Sequence, residues 1–272
     1  MIDDLTEPRG RTMVIADLHG NYLGLKQALE RSNFNYDNDT LIQLGDIVDG
    51  GPDIYECVEE LLKIKELICI KGNHDEWFNE WLQTGIHPDG WRQGGFKTAE
   101  SYLKQIGKEE LIQQKMSGNF LVALNPDDVP PLHQQLFRNQ ALCYIDDNNN
   151  LFVHGGFNRH EELKEQIRQS SWILYWDRDL WSQALSYQSM MPENRKVLKF
   201  KMKDNFNEVY IGHTCTVFWG ENTPMKAANV WNMDTGGGSR KGKVTIMDVD
   251  TKEYWQSDLT SELYPNEKGR GF

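Results

Sequence analysis

The first third of the chain alternates compact apolar runs with segments of helical spacing. Met13 to Ala16, Leu41 to Leu44 and Leu67 to Ile70 read as buried strands. Each is followed by a stretch whose apolar residues recur at helical intervals: Tyr22 to Arg31, Ile54 to Lys65 and Glu76 to Leu82. The resulting βαβαβ order implies parallel strands joined by helical crossovers. Every one of these strands runs into a cluster of Gly, Asp, His or Asn, so polar chemistry collects at the carboxyl ends of the sheet, where a site is expected.

The pattern changes between about residues 84 and 140. Helical spacing appears at Thr98 to Ile106, Glu109 to Met116 and Leu132 to Phe137, around a breaker run from Asn125 to Pro131. This stretch reads as a helical cap inserted in a single domain spanning residues 1–272. Strand patterns return at Ala141 to Ile145 and Leu151 to Val153, and the turn-rich Asp146 to Asn150 between them predicts a hairpin. Val209 to Ile211, Ala228 to Asn232, Val244 to Val249 and Glu253 to Gln256 complete a C-terminal half that reads as β-rich. Pro265 to Phe272 reads as a frayed end.

Composition narrows the function classes. The chain has 272 residues, 41 acidic against 29 basic side chains and a net charge of −12, which repels nucleic acid. A phosphorylated substrate stays compatible with that sign, because bound cations reverse the potential locally. No apolar run approaches the length of a membrane span, and the start Met1, Ile2, Asp3, Asp4 is acidic where a secretory peptide is basic, so a cytoplasmic location is expected. Cys57, Cys69, Cys143 and Cys215 are dispersed without a CxxC pair, which points to reduced thiols rather than disulfides or a zinc ribbon.

Five clusters carry the candidate chemistry, each just after a predicted strand: Asp17-Leu18-His19-Gly20, Gly45-Asp46-Ile47-Val48-Asp49, Gly72-Asn73-His74-Asp75, His154-Gly155-Gly156 and Gly212-His213-Thr214. They supply oxygen and nitrogen donors without thiolate, a set suited to hard-to-borderline divalent metals. Residues i and i+2 of an extended segment share a side, so Asp17 and His19 can grip one ion while Asp46 bridges to a second.

In order and spacing the clusters resemble the calcineurin-like metallophosphoesterases, and within them the phosphoprotein phosphatase branch of bacterial and phage serine/threonine phosphatases, over about Met13 to Asp234. The resemblance implies a four-layer α/β/β/α sandwich of two mixed β-sheets flanked by helices. It implies two divalent ions, Mn²⁺ foremost with Fe or Zn as alternatives: Asp17 and His19 on the first, Asp46 bridging, and Asn73, His154 and His213 on the second. A metal-bridging hydroxide is then the nucleophile, His74 the proton donor to the leaving oxygen, and Asp49 the carboxylate that orients His74.

Three positions depart from the family pattern: Ala16 stands where Gly usually precedes the Asp, a small-for-small change, Gly50 where a phosphate-clamping Arg is usual, and Lys71 where a second Arg is common. A lysine neutralises charge without making a bidentate contact. Lys71, Asn73 and Arg178, the last in Trp176-Asp177-Arg178, are the candidate phosphate-binding residues, with Arg240 or Lys241 beside the tight loop of Gly236, Gly237 and Gly238 as a further source of charge. The expected activity is hydrolysis of phosphoserine or phosphothreonine, the partner being a phosphorylated protein or a small phosphoester. The alternatives are hydrolysis of a dinucleoside polyphosphate and, in a different class, a non-catalytic phosphoprotein-binding module.

Overall fold

The computed structural model describes residues 10–108, 111, 113–114, 120–121 and 124–270 of the chain. Strand β1 (Thr12–Ile15) shows how its layers arise. Successive side chains on a strand point to opposite faces. Met13 and Ile15 accordingly join a core shared with helices, while Val14 and the following Ala16 face a second sheet.

The first sheet holds β2 (Thr40–Gln43) and β3 (Glu66–Cys69) parallel to β1, with β11 (Thr245–Asp248) and β12 (Tyr254–Gln256) added antiparallel on the other side. Helices α1 (Tyr22–Arg31) and α2 (Ile54–Leu61) are the crossovers, and α3 (Asn73–Thr84) follows β3. The second sheet runs in the order β6 (Cys143–Ile145), β7 (Leu151–Val153), β8 (Val209–Ile211), β10 (Val230–Asn232), β9 (Met225–Ala227), again mixed. Between the sheets lies an apolar layer in which the rings of Phe152 and Tyr210 stack at 4.8 Å. Burying a side chain of that size stabilises the fold by roughly 1.5–3 kcal/mol. The expected sandwich of two mixed sheets flanked by helices is the architecture found.

Helices α4 (Gly95–Gln105) and α5 (Pro131–Asn139) pack through Ala99, Tyr102, Leu103 and Phe137 into the same core as α1 to α3. The helix expected over Glu109 to Met116 falls mostly outside the described residues, and the part described, β4 (Gln113–Gln114), pairs instead with β5 (Phe120–Leu121). The acidic start of the chain also lies outside them.

Three expectations are corrected. The C-terminal half is not simply β-rich: α6 (Leu163–Ser170), α7 (Ile173–Trp176), α8 (Asp179–Gln188) and α9 (Pro192–Leu198) intervene between β7 and β8, and Leu163, Leu174, Leu180, Trp181 and Ala184 build the core behind the second sheet. The strand expected over Ala228 to Asn232 is a hairpin of β9 and β10, because Ala228 turns the chain at φ 52°. The segment after α10 (Thr260–Leu263) is tied down as far as Arg270, whose backbone N–H donates to Gly238 O at 2.8 Å. The four cysteines are free thiols. Among the described residues no helix is long and apolar enough to cross a membrane.

Candidate metal centre

The polar clusters all emerge at one end of the two sheets, where the strands stop and the backbone turns sharply. His19, Asp46, Asp49 and His213 adopt positive φ, at 48°, 57°, 70° and 63°. For residues with a Cβ this region is strained by about 1–3 kcal/mol each and persists only where the surroundings impose it. A hydrogen-bond lattice does so here. Leu18 N and His19 N both donate to Asp46 O, at 3.0 and 2.9 Å, and Gly20 N donates to Ile47 O at 3.0 Å. Asp75 supports the lattice from below, its carboxylate accepting from Asp46 N at 2.8 Å, Ile47 N at 2.9 Å, Gly72 N at 3.2 Å and Gln140 Nε2 at 2.8 Å. Gly212 is required by close approach: a Cβ there would lie 2.3 Å from Asp17 Oδ1, which accepts the N–H of His213 at 3.0 Å.

Two buried groups of ligand atoms result, Asp17 with His19 and Asp46, and Asp46 with His154 and His213, the atoms of each group lying within 4.8 Å of one another. Asp46 belongs to both. The Nδ1–H of His19 and of His154 donates to a backbone carbonyl, Val48 O at 3.0 Å and Leu44 O at 2.7 Å, which fixes the tautomer and leaves Nε2 as the ligand atom. His154 Nε2 stands 3.4 Å from Asp46 Oδ2 and 3.2 Å from Asn73 Oδ1. His213 Nε2 is buried and has no hydrogen-bond partner among the described residues.

The electrostatics favour added positive charge. Burial and the neighbouring Asp234 push Asp17 well above the ordinary carboxylate range, and burial and Asp46 push Asp75 up to about 6. Asp46, although buried, is drawn well below that range by His154 and His74. Burial opposes charge on His154, yet Asp46 and Asp17 raise it to about 9, a measure of how strongly these carboxylates attract positive charge. His19 and His213 are held well below the usual imidazole range, mainly by burial. An orphaned imidazole nitrogen, a shared carboxylate and an all-oxygen-and-nitrogen donor set together fit a pair of divalent ions. These groups are consistent with the dinuclear centre expected from the sequence.

Beside the first group, with its ring centroid 5.1 Å from that of His19, His74 places Nδ1 2.8 Å from Asp49 Oδ2, both residues being buried. Asp49 Oδ1 accepts from Trp91 Nε1 at 3.0 Å and Thr98 Oγ1 at 2.5 Å. Those two residues come from a short turn of 3₁₀ helix, Asp89–Arg92, and from α4, so the 84–140 segment fixes the carboxylate that meets His74.

The ligand groups open into a cavity of about 220 Å³ lined also by His74, Asn73, Arg178 and Arg270. Arg178 sits at its edge, with Nη1 donating to His213 O and Thr214 Oγ1, each at 3.0 Å. Lys71 does not line this cavity; its ammonium is ion-paired with Glu76 at 2.5 Å. Arg240 donates to the carbonyls of Tyr264, Pro265 and Glu267, holding the chain that carries Arg270. Asp75, Trp91, Thr98 and Arg270 were given no role from sequence, and each touches the centre or a residue that does.

Residues 10–217 match the family model described as calcineurin-like phosphoesterase. A symmetrical bis(5'-nucleosyl)-tetraphosphatase of Buchnera aphidicola is 31% identical over 118 residues, 37% of this chain and 42% of that protein. The match therefore spans less than half of the relative's length. The Shewanella-like protein phosphatase 1 of Plasmodium berghei is 26% identical over 247 residues, 75% of this chain and 61% of that protein. Among solved structures, a protein serine/threonine phosphatase from Saccharomyces cerevisiae superposes with a TM-score of 0.56 at 13% identity, covering 98% of this chain and 85% of the other, a likeness of fold alone.

Proposed function

The chain belongs to the calcineurin-like phosphoesterase family, and from that premise we propose that it hydrolyses phosphoserine or phosphothreonine monoesters at the centre formed by Asp17, His19, Asp46, Asn73, His154 and His213. The observation that carries this reading is the buried pair of His74 and Asp49, joined at 2.8 Å beside the ligand groups. An alkoxide of serine or threonine is a poor leaving group and needs a proton as the bond to phosphorus breaks. A nucleoside phosphate leaving from an anhydride needs that help far less.

In this reading Asp17, His19 and Asp46 hold one divalent ion, and Asp46, Asn73, His154 and His213 hold the other. Two ions so placed supply Lewis acidity, activating water and neutralising charge on the phosphoryl oxygens. His74 presents Nε2 toward the cavity and delivers its proton to the leaving oxygen. Asp49 keeps the Nδ1 side protonated and stabilises the imidazolium, while Trp91 and Thr98 prevent the carboxylate from turning away. Arg178 stands at the edge to receive negative charge, and Phe218 and Trp176 narrow the cavity around it.

A second reading, hydrolysis of a dinucleoside polyphosphate, is favoured by the similarity to the symmetrical tetraphosphatase. Metal-stripped protein reconstituted with Mn²⁺ and offered a phosphothreonine peptide and diadenosine tetraphosphate in parallel separates the two. The monoester reading expects the higher kcat/KM on the peptide, and the reverse preference would replace it. An Asp46→Asn protein should turn over neither.

A further inference from the structure

The loop that follows β2 contributes no cation to the cavity: after Asp49 it continues with Gly50 and Gly51. Gly50 has φ +103°, and a Cβ built on it would lie 2.7 Å from Cγ and 2.8 Å from Cδ of Arg270. The aliphatic stem of Arg270 thus lies against bare backbone at this position. The backbone conformation disfavours a side chain at residue 50, and one placed there would have to displace the stem of Arg270. Past this point the guanidinium enters the cavity, with Nη2 2.8 Å from His74 Nε2 and Nη1 against the ring of His19.

The segment that delivers Arg270 is anchored at several places. Arg240 binds its carbonyls, Tyr264 Oη donates to Asp53 Oδ2 at 2.8 Å, Lys97 pairs with Glu267 at 3.1 Å, and Arg270 N donates to Gly238 O at 2.8 Å. The guanidinium touches two imidazoles and acts on the buried Asp234 only through space. Two imidazole nitrogens carry no negative charge, and among the described residues no carboxylate is ion-paired with Arg270, unlike Arg11, Arg31, Arg92 and Arg168. His19 Nε2 has a single lone pair, so its use as a metal ligand excludes its use as an acceptor for Arg270. A His74 Nε2 that carries the proton it gives up is no acceptor for Arg270 either, so the fork is left to meet an anion in the cavity, whose other guanidinium, Arg178, engages His213 O and Thr214 Oγ1 through Nη1.

We propose that Arg270 is the residue that grips the substrate's phosphoryl group, carried into the centre from the segment after α10 across the gap kept open by Gly50. A planar guanidinium offers paired N–H donors matched to two phosphoryl oxygens, and at this place it stands next to His74, where the leaving oxygen must lie. The inference rests on the reading that this centre takes a phosphate ester. It also explains why the chain tolerates glycine at residue 50: the charge arrives from another direction, and the glycine is what lets it pass.

The test uses Mn²⁺-loaded protein, full chain, as wild type, Arg270→Ala and Arg270→Lys. Inorganic phosphate binding is measured by titration calorimetry, and KM and kcat are measured on an aryl phosphate. Arg270→Ala is expected to weaken phosphate binding by about 10-fold or more, the loss of charge-assisted hydrogen bonds, and to raise KM in step. Arg270→Lys, which keeps stem and charge but not the fork, should recover part of the loss. Mn²⁺ content should not fall in either variant. Phosphate affinity unchanged in Arg270→Ala overturns the assignment, as does a loss of Mn²⁺ in the Lys variant. Phosphate binding that depends on Arg270 in a protein that hydrolyses no ester would instead sink the proposed activity and leave the assignment standing.

Discussion

Replacing Asp49 by asparagine tests whether His74 acts as an acid toward the leaving oxygen. Asp49 is fully buried, and its two oxygens serve three donors: His74 Nδ1 at 2.8 Å, Trp91 Nε1 at 3.0 Å and Thr98 Oγ1 at 2.5 Å. An asparagine amide has only one oxygen. If that oxygen turns to Trp91, the amide N–H₂ faces His74 and forces Nδ1 to accept, so the ring cannot become an imidazolium at low cost. If it turns to His74, the amide group opposes the indole N–H, and the carboxylate's charge is lost in either case. A hydrogen bond to a charged group is worth about 1.5–3 kcal/mol, which in the transition state corresponds to a rate loss of roughly 10- to 10²-fold. The loss should depend on the leaving group. An alkyl phosphate, whose alkoxide needs the proton, should show the full decrease in kcat, whereas p-nitrophenyl phosphate, with its acidic phenol, should show little. The assay is therefore the ratio of the two rates in Asp49→Asn against wild type, with Mn²⁺ content measured alongside. An equal loss on both esters, with metal retained, would refute the acid role of His74.

Three further outcomes are expected. Asp75→Asn places an amide N–H₂ where a carboxylate accepts from Asp46 N, Ile47 N and Gly72 N; it should lower Mn²⁺ affinity by roughly 10- to 100-fold, read by metal titration, and unchanged affinity would show that the lattice does not depend on Asp75. Adding Mn²⁺ to chelator-treated protein should raise Tm, by the equivalent of about 2.7 kcal/mol per site at a hundred times Kd, and His213→Ala should reduce that rise; an equal rise in both would place the ions elsewhere. At the second sheet, burial acts against charge on Glu208, but Lys226, Lys252, Trp231 and Tyr210 pull it down to about 2. A carboxyl depressed in the folded state stabilises at pH values above its unfolded value of about 4.3 and ceases to do so as pH falls through the folded one. Glu208→Gln should therefore lower Tm near neutral pH, modestly because the group is partly exposed, and the difference from wild type should close between about pH 4 and pH 2; a difference independent of pH would contradict the cause assigned.

How far the sequence spoke depended on whether the information was local. Apolar runs such as Leu41 to Leu44 were legible because a strand buried on both faces needs no partner to be recognised, and the turn from Asp146 to Asn150 announced its hairpin by composition alone. Ala228 looked like part of a strand because nothing in an alanine signals φ 52°; only the pairing of Met225–Ala227 with Val230–Asn232 demands it. Leu180, Trp181 and Ala184 carry helical spacing, and a reading that places no element between Val153 and Val209 passes over a signal that is in the chain. The candidate ligands are legible because each follows a strand, and the ends of neighbouring strands meet in space whatever their separation in sequence.

The residues that adjust the centre are of a different kind. Trp91 reaches Asp49 from 42 residues away, and Arg270 reaches His74 from 196, each on a segment whose path is set by packing rather than by strand order. A glycine at residue 50 gave notice that a charge was missing, yet the same glycine could not say from where it would be supplied. That follows from the physics of the two interactions. A ligand set is fixed by donor chemistry and the alternation of a strand, whereas a guanidinium on a long side chain can enter a cavity from any wall that leaves it room. Gly50 is that room, and its positive φ makes the absence of a side chain part of the site's construction.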